Sequence, residues 1–231
     1  MDSIVDIINE TVHKNYRRNL KKTVAQRYKG MNEGMDKILQ VVKDNYGSEA
    51  NKYFEKREKK NKMLLKIQTK SQKNIDKCLK QIPNITYKII PASSFSAGTN
   101  LMEESDIDFA VLIKNITSDK VIHISNYLGV CSYLFTDIRN IDDKKLKHWV
   151  FQKYIDDVEI EAKVRDMDGF EKLSKVHHYL DNVMSKDKKK LITYTKYLLR
   201  NNKEIYGKFK MMYYSMAGYH SKINELLYSL V

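Results

Sequence analysis

The stretch Ser93-Ser94-Phe95-Ser96-Ala97-Gly98-Thr99-Asn100-Leu101, followed by Ser105-Asp106-Ile107-Asp108-Phe109, decides how this chain is read. Residues 106–113, Asp-Ile-Asp-Phe-Ala-Val-Leu-Ile, are a β-branched and apolar run that predicts a buried strand. Side chains alternate along a strand, so Asp106 and Asp108 share one face while Ile107, Phe109 and Val111 take the other. Two carboxylates held about 6–7 Å apart along a strand repel each other unless a cation lies between them. Oxygen-only ligands of this kind suit Mg²⁺ or Mn²⁺ rather than zinc. The preceding turn, rich in Ser, Gly and Thr, can bring N–H groups and hydroxyls close to a phosphate, because glycine permits close approach. A phosphate-cradling turn beside a carboxylate pair is the equipment for phosphoryl or nucleotidyl transfer.

Outward from this stretch, Ile85, Tyr87 and Ile89 predict a strand after Pro83. Two alternating runs, Leu146–Ile155 and Val158–Arg165, flank Asp156-Asp157 and predict a β-hairpin. Residues 121–134 lean towards a helix. Before Pro83 the spacing predicts three helices: Ser3 to about Tyr28 closed by Gly30, Met35–Tyr46 with Gly47 past its end, and a long one over Glu49–Gln81. The long helix is charged on most faces (Glu55-Lys56-Arg57-Glu58-Lys59-Lys60-Asn61-Lys62), with Met63, Leu64, Ile67, Ile75 and Leu79 as a sparse apolar stripe. From Gly169 the pattern is helical again, with Gly207 and Gly218 as interruptions. The expected class is α+β: a small mixed sheet (83–168) between an N-terminal helical region (1–82) and a C-terminal helical lobe (169–231).

The chain has 231 residues, 42% of them hydrophobic, which is enough to bury a core and argues against wholesale disorder. Only 2 Pro and 8 Gly exclude collagen-like and Pro-rich linker classes. The net charge of +13 is unevenly placed: residues 1–80 carry +10, residues 81–180 carry −3 and residues 181–231 carry +6. A basic frame around an acidic centre suits a polyanionic substrate brought to carboxylates. No apolar run reaches about 18 residues, so no membrane is expected as a partner. The opening Met1-Asp2-Ser3-Ile4 lacks the layout of a secretory signal, and Cys78 and Cys131 are too few for a disulfide scaffold. These features predict a cytoplasmic protein in a reducing compartment.

The central stretch resembles the signature of the DNA polymerase beta-type nucleotidyltransferase superfamily, nearest in motif to the branch of oligoadenylate synthetases and cyclic GMP-AMP synthases. There the loop reads Gly-Ser-x-x-x-Gly-Thr-x-Leu and ends in Ser-Asp-x-Asp; Ser94, Gly98, Thr99, Leu101, Ser105, Asp106 and Asp108 fall at those spacings, with Ser93 in place of the first glycine. The resemblance implies a nucleotidyltransferase fold and a third carboxylate on a neighbouring strand. Residues 158–165 offer Glu159 and Glu161 on one face, and strand parity leaves them as alternatives. Similarity of Glu161-x-Lys163-Val164-Arg165-Asp166 to the catalytic strand of guanosine tetraphosphate synthetases favours Glu161, the other glutamate being a solvated neighbour or a partner for Lys163.

By the same resemblance, Asp106, Asp108 and Glu161 bind Mg²⁺ or Mn²⁺ and carry catalysis. Ser94 and the backbone of Gly98 and Thr99 hold the triphosphate of an NTP, and Lys196 neutralises it. The expected reaction moves an NMP onto an acceptor hydroxyl, RNA being favoured by the basic flanks. Other acceptors remain open: a nucleotide, giving oligonucleotides or second messengers, a protein, or a small molecule. So does a non-catalytic nucleic-acid-binding protein on this scaffold. Of the tyrosines in the C-terminal helices, most are expected in the core and one could stack on a base. His177-His178 and Cys131 read as structural.

Overall fold

The computed structural model describes residues 2–17, 24–92, 94–103, 106–114, 137–143, 146–166 and 184–216. The elements are α1 (Asp2–Val12) running into a π-helical turn (His13–Arg17), α2 (Val24–Asp44), α3 (Ser48–Leu79), β1 (Tyr87–Pro91), β2 (Asp106–Ile113), β3 (Asp137–Asp143), β4 (Leu146–Ile155), β5 (Val158–Asp166), α4 (Lys186–Leu199) and α5 (Lys203–Met216). They divide into two compact units, one of Met1–Tyr53 with Lys172–Val231 and one of Phe54–Glu171. The class is α+β, as the sequence pattern predicts.

The unit of Phe54–Glu171 holds a five-stranded mixed sheet in the order β1-β2-β5-β4-β3. Only β2 and β5 run parallel; the other neighbours are antiparallel. The β4–β5 hairpin turns at Asp156 and Asp157, whose φ angles of 49° and 62° are the left-handed pair that a tight two-residue hairpin needs. Asp tolerates this region better than most residues because its short side chain can bond locally. One face of the sheet is apolar. Ile107, Phe109, Val111 and Ile113 of β2 and Val158, Ile160, Ala162 and Val164 of β5 are buried with Leu64, Ile67, Ile75 and Leu79 of α3. Each large side chain buried here contributes about 1.5–3 kcal/mol. On the opposite face, Ala110 and Leu112 are buried as well, which confines the polar positions of β2 to its first half.

Leu64, Ile67, Ile75 and Leu79 of the apolar stripe thus form the seam of α3 to the sheet, while Met63 is exposed. Cys78 lies in the same core and is disulfide-bonded rather than a free thiol. No helix among the described residues is long and apolar enough to cross a membrane.

In the other unit, α1, α2, α4 and α5 pack on one another. Two glycines expected to end helices do not. Gly30 lies inside α2 along with Gly34, and the helix that was expected to begin at Met35 begins at Val24. A methyl at Gly30 would collide with Asn15, and one at Gly34 with Thr11, so both are small because α1 and its π turn approach there. Gly207 likewise sits within α5, and the interruption falls at Asn201-Asn202 instead. Asn202 Oδ1 accepts from Ile205 N at 3.1 Å, a cap that starts α5, while Ser185 caps α4 by accepting from Lys188 N. Of the tyrosines in the C-terminal helices, Tyr194 and Tyr213 are buried while Tyr197 and Tyr206 are half-buried. The expected helix over 121–134, Gly218, Cys131, Ser93, Ser105 and His177-His178 lie outside the described residues.

Candidate functional site

The loop from Ser94 to Met102 begins beside the first carboxylates: Ala92 N donates to Asp108 O at 2.8 Å, continuing the β1–β2 pairing. The loop then closes on itself. Gly98 N donates to Phe95 O and Thr99 N to Ser94 O, each at 2.9 Å. Gly98 has φ 72°, a conformation that a Cβ strains, which is why this position is glycine. The N–H groups of Gly98 and Thr99 are engaged in the turn, so the two residues shape the loop. Ser94 Oγ is different: it is buried and has no hydrogen-bond partner among the described residues.

Helix α3 fixes the outer side of this loop through side chains of its own. Arg57 donates from Nε to Asn100 O at 2.8 Å and from Nη2 to Gly98 O at 2.9 Å and Asn100 Oδ1 at 2.7 Å. Lys60 Nζ reaches Met102 O at 2.7 Å, Asn100 Nδ2 reaches Asn61 Oδ1 at 2.9 Å, and Gln68 Nε2 reaches Ser96 Oγ at 2.8 Å. Such charge-assisted bonds to buried carbonyls are stronger than neutral ones. Sequence reading placed Arg57 within a solvated charged face and so missed this role. The signal was available: Arg57 stands one heptad before Leu64, on the apolar stripe, where a solvated arginine does not belong.

The parallel β2–β5 register sets Asp106 opposite Glu159 and Asp108 opposite Glu161. Residues opposite one another share a face, so all four carboxylates lie on the face away from the apolar core. Asp108 and Glu161 are linked by Lys163, whose Nζ is 3.1 Å from Asp108 Oδ1 and 2.8 Å from Glu161 Oε2. Burial pushes the Asp108 carboxyl above the ordinary range, with the Asp106 and Glu161 charges adding to it and Lys163 opposing. Burial alone would depress the Lys163 ammonium, but the Asp108 charge and the bond to Glu161 outweigh it and hold it above its ordinary value. Asp106 Oδ1 is buried and has no hydrogen-bond partner among the described residues.

The donor set fits a hard divalent cation: carboxylate oxygens alone, one of them buried and unsatisfied. Among the described residues, no three His, Cys, Asp or Glu side chains stand close enough to hold a metal ion as they are. The positive charge between Asp108 and Glu161 is that of Lys163. Lys196 belongs to the other unit, on α4, where it is 4% exposed and so is not a solvated surface lysine.

No protein-family model matches the chain, and no curated protein matches it. Among solved structures it is similar to the polymerase core of TRAMP, an RNA surveillance complex, at 17% identity over 60% of this chain and 42% of that one, with a TM-score of 0.41. It is also similar to a structure of the poly(A) polymerase complex GLD-2–GLD-3, at 16% identity over 71% of this chain and 57% of that one, with a TM-score of 0.48. The chain spans about half the length of the structures it matches. At these identities the likeness is one of backbone arrangement.

Proposed function

We propose that this chain is a template-independent nucleotidyltransferase that moves an NMP from an NTP to an acceptor hydroxyl, with an RNA 3′ end as the favoured acceptor. The observation that carries this reading is the pairing of Asp108 with Glu161 across parallel strands, next to a buried and unsatisfied Asp106 oxygen. Asp106, Asp108 and Glu161 are the residues to hold Mg²⁺ or Mn²⁺. When bound, the metal supplies Lewis-acid charge for in-line displacement of pyrophosphate at the α-phosphate. Ser94 Oγ, buried and without a hydrogen-bond partner among the described residues, donates to a triphosphate oxygen. Arg57, through the carbonyls of Gly98 and Asn100, keeps the loop in the shape that presents Ser94.

Support for a polyanionic acceptor comes from α3. Lys59, Lys62, Lys66, Lys70, Lys73 and Lys77 recur every three or four residues and are all exposed. They occupy about a quarter of the helix circumference, opposite the apolar seam. Among the described residues, only Lys62 of these forms an ion pair, a loose one to Glu58 at 3.9 Å. The same stripe favours a second reading, a nucleic-acid-binding protein without catalysis.

A transfer assay with each labelled NTP, with Mg²⁺ or Mn²⁺ and with or without a short RNA, separates these. RNA lengthening that is lost in the Asp106→Ala/Asp108→Ala double variant supports the transferase. Product formed without RNA moves the reading to oligonucleotide or second-messenger synthesis. No turnover, with RNA affinity falling steeply with salt whether or not metal is present, supports the binding protein.

A further inference from the structure

We propose that Lys163 is an internal counter-cation of the acidic site, an ammonium that holds Asp108 and Glu161 together and that a divalent cation must displace in order to bind. The inference rests on the proposed function, because it assumes that these carboxylates take a metal. Lys163 follows Glu161 by two residues on β5, so both side chains leave the same face. Its cross-strand neighbour on β2 is Ala110, whose small side chain leaves room for the lysine stem to lean back along the sheet to Asp108. The ammonium thereby touches one oxygen on each strand.

The position of the ammonium, on the same oxygens that a cation would take, makes the arrangement an exchange rather than an addition. Asp106, Asp108 and Glu161 supply three carboxylates to one face, and with Asp108 and Glu161 only about one-fifth exposed, water screens them poorly. Without a cation they would repel one another and force the parallel strand pair apart. A tethered ammonium relieves part of that repulsion. A divalent cation sharing the same oxygens would face the lysine as a like charge at close range, so one of them leaves. Since the lysine is on a flexible four-carbon stem and the metal has the higher charge, the lysine is the group that moves.

The test is Mn²⁺ titration of the full chain, read from loss of the free-ion electron paramagnetic resonance signal, on the wild type, Lys163→Met and Lys163→Arg. Thermal melting with EDTA and with saturating Mn²⁺ runs beside it. Exchange predicts that Lys163→Met binds Mn²⁺ about tenfold tighter or more, since nothing need be displaced. It also predicts that this variant melts lower than the wild type in EDTA, and that Mn²⁺ closes the gap. Lys163→Arg, which keeps a cation in a more rigid two-pronged form, should bind Mn²⁺ no better than the wild type. Equal or weaker Mn²⁺ affinity in a folded Lys163→Met, or tighter binding by Lys163→Arg, overturns the exchange and leaves the proposed function standing. Mn²⁺ binding by none of the three overturns both.

Discussion

Arg57 Nη2 lies 2.9 Å from the carbonyl oxygen of Gly98, joining the middle of a long helix to the tip of a loop 41 residues later. Because the same guanidinium also serves Asn100, its loss would leave buried acceptors unpaired rather than merely remove one bond. Arg57→Met is therefore expected to cost about 2–4 kcal/mol in stability. Lysine cannot reproduce the fork, so Arg57→Lys should recover less than half of that loss. Urea denaturation of the three proteins measures it. In the transfer assay both variants should raise the KM for NTP more than they lower kcat.

At Gly98 the backbone itself is the constraint. With φ at 72°, Gly98→Ala should lose about 1–2 kcal/mol even though it adds only a methyl. A denaturation midpoint equal to that of the wild type would show that the loop relaxes out of this conformation.

The helical glycines predict opposite signs for one chemical change. Gly207 has nothing near its missing Cβ, so Gly207→Ala should stabilise by about 0.5–1 kcal/mol through helix propensity. Gly34→Ala gains the same propensity but drives a methyl into Thr11, and overpacking of about 1–3 kcal/mol outweighs it. Paired thermal melts decide the matter, and a stabilising Gly34→Ala would mean that α1 and α2 separate easily.

Asp108 should show the conflict between function and stability. Burial disfavours its charge, so Asp108→Asn in EDTA is expected to melt at or above the wild-type temperature while transfer falls at least about 100-fold. A variant that melts several degrees lower would mean that the Lys163 contact, not burial, dominates at this position.

Tyr87 gives a pH dependence. Its hydroxyl donates to Asp76 Oδ1 at 2.9 Å, and burial together with that bond pushes its pKa up to about 12. A raised folded-state pKa stabilises fully below the unfolded value of about 10, and that stability is lost as pH rises through the folded value. The stability difference between the wild type and Tyr87→Phe, about 1 kcal/mol at pH 8, should therefore shrink between about pH 10 and pH 12. Melting curves at pH 8, 10 and 11 read it directly.

Local pattern was enough to mark several elements. The span of β2 follows from eight consecutive residues whose alternation and apolar content suit only a buried strand. The hairpin follows from two alternating runs around a pair of aspartates, and α3 from a periodic stripe ending at a proline. Strand β3 escaped because Asp137–Asp143 is mostly polar; it lies at the sheet edge, where pairing on one side needs no strong apolar signature. Gly30 and Gly207 misled because glycine marks a helix end only when nothing else needs its small size, and at Gly30 Asn15 does.

For the candidate site, the sequence by itself determined which side chains share a strand face, because a period of two is a property of the strand alone. It could not determine register. That Glu161 rather than Glu159 stands opposite Asp108, that Lys163 leans between them, and that Arg57 grips Gly98 all depend on contacts between residues 41 to 55 positions apart. Which partner a side chain meets over such separations is decided by how the sheet seats its apolar face on α3, and only the folded core sets that.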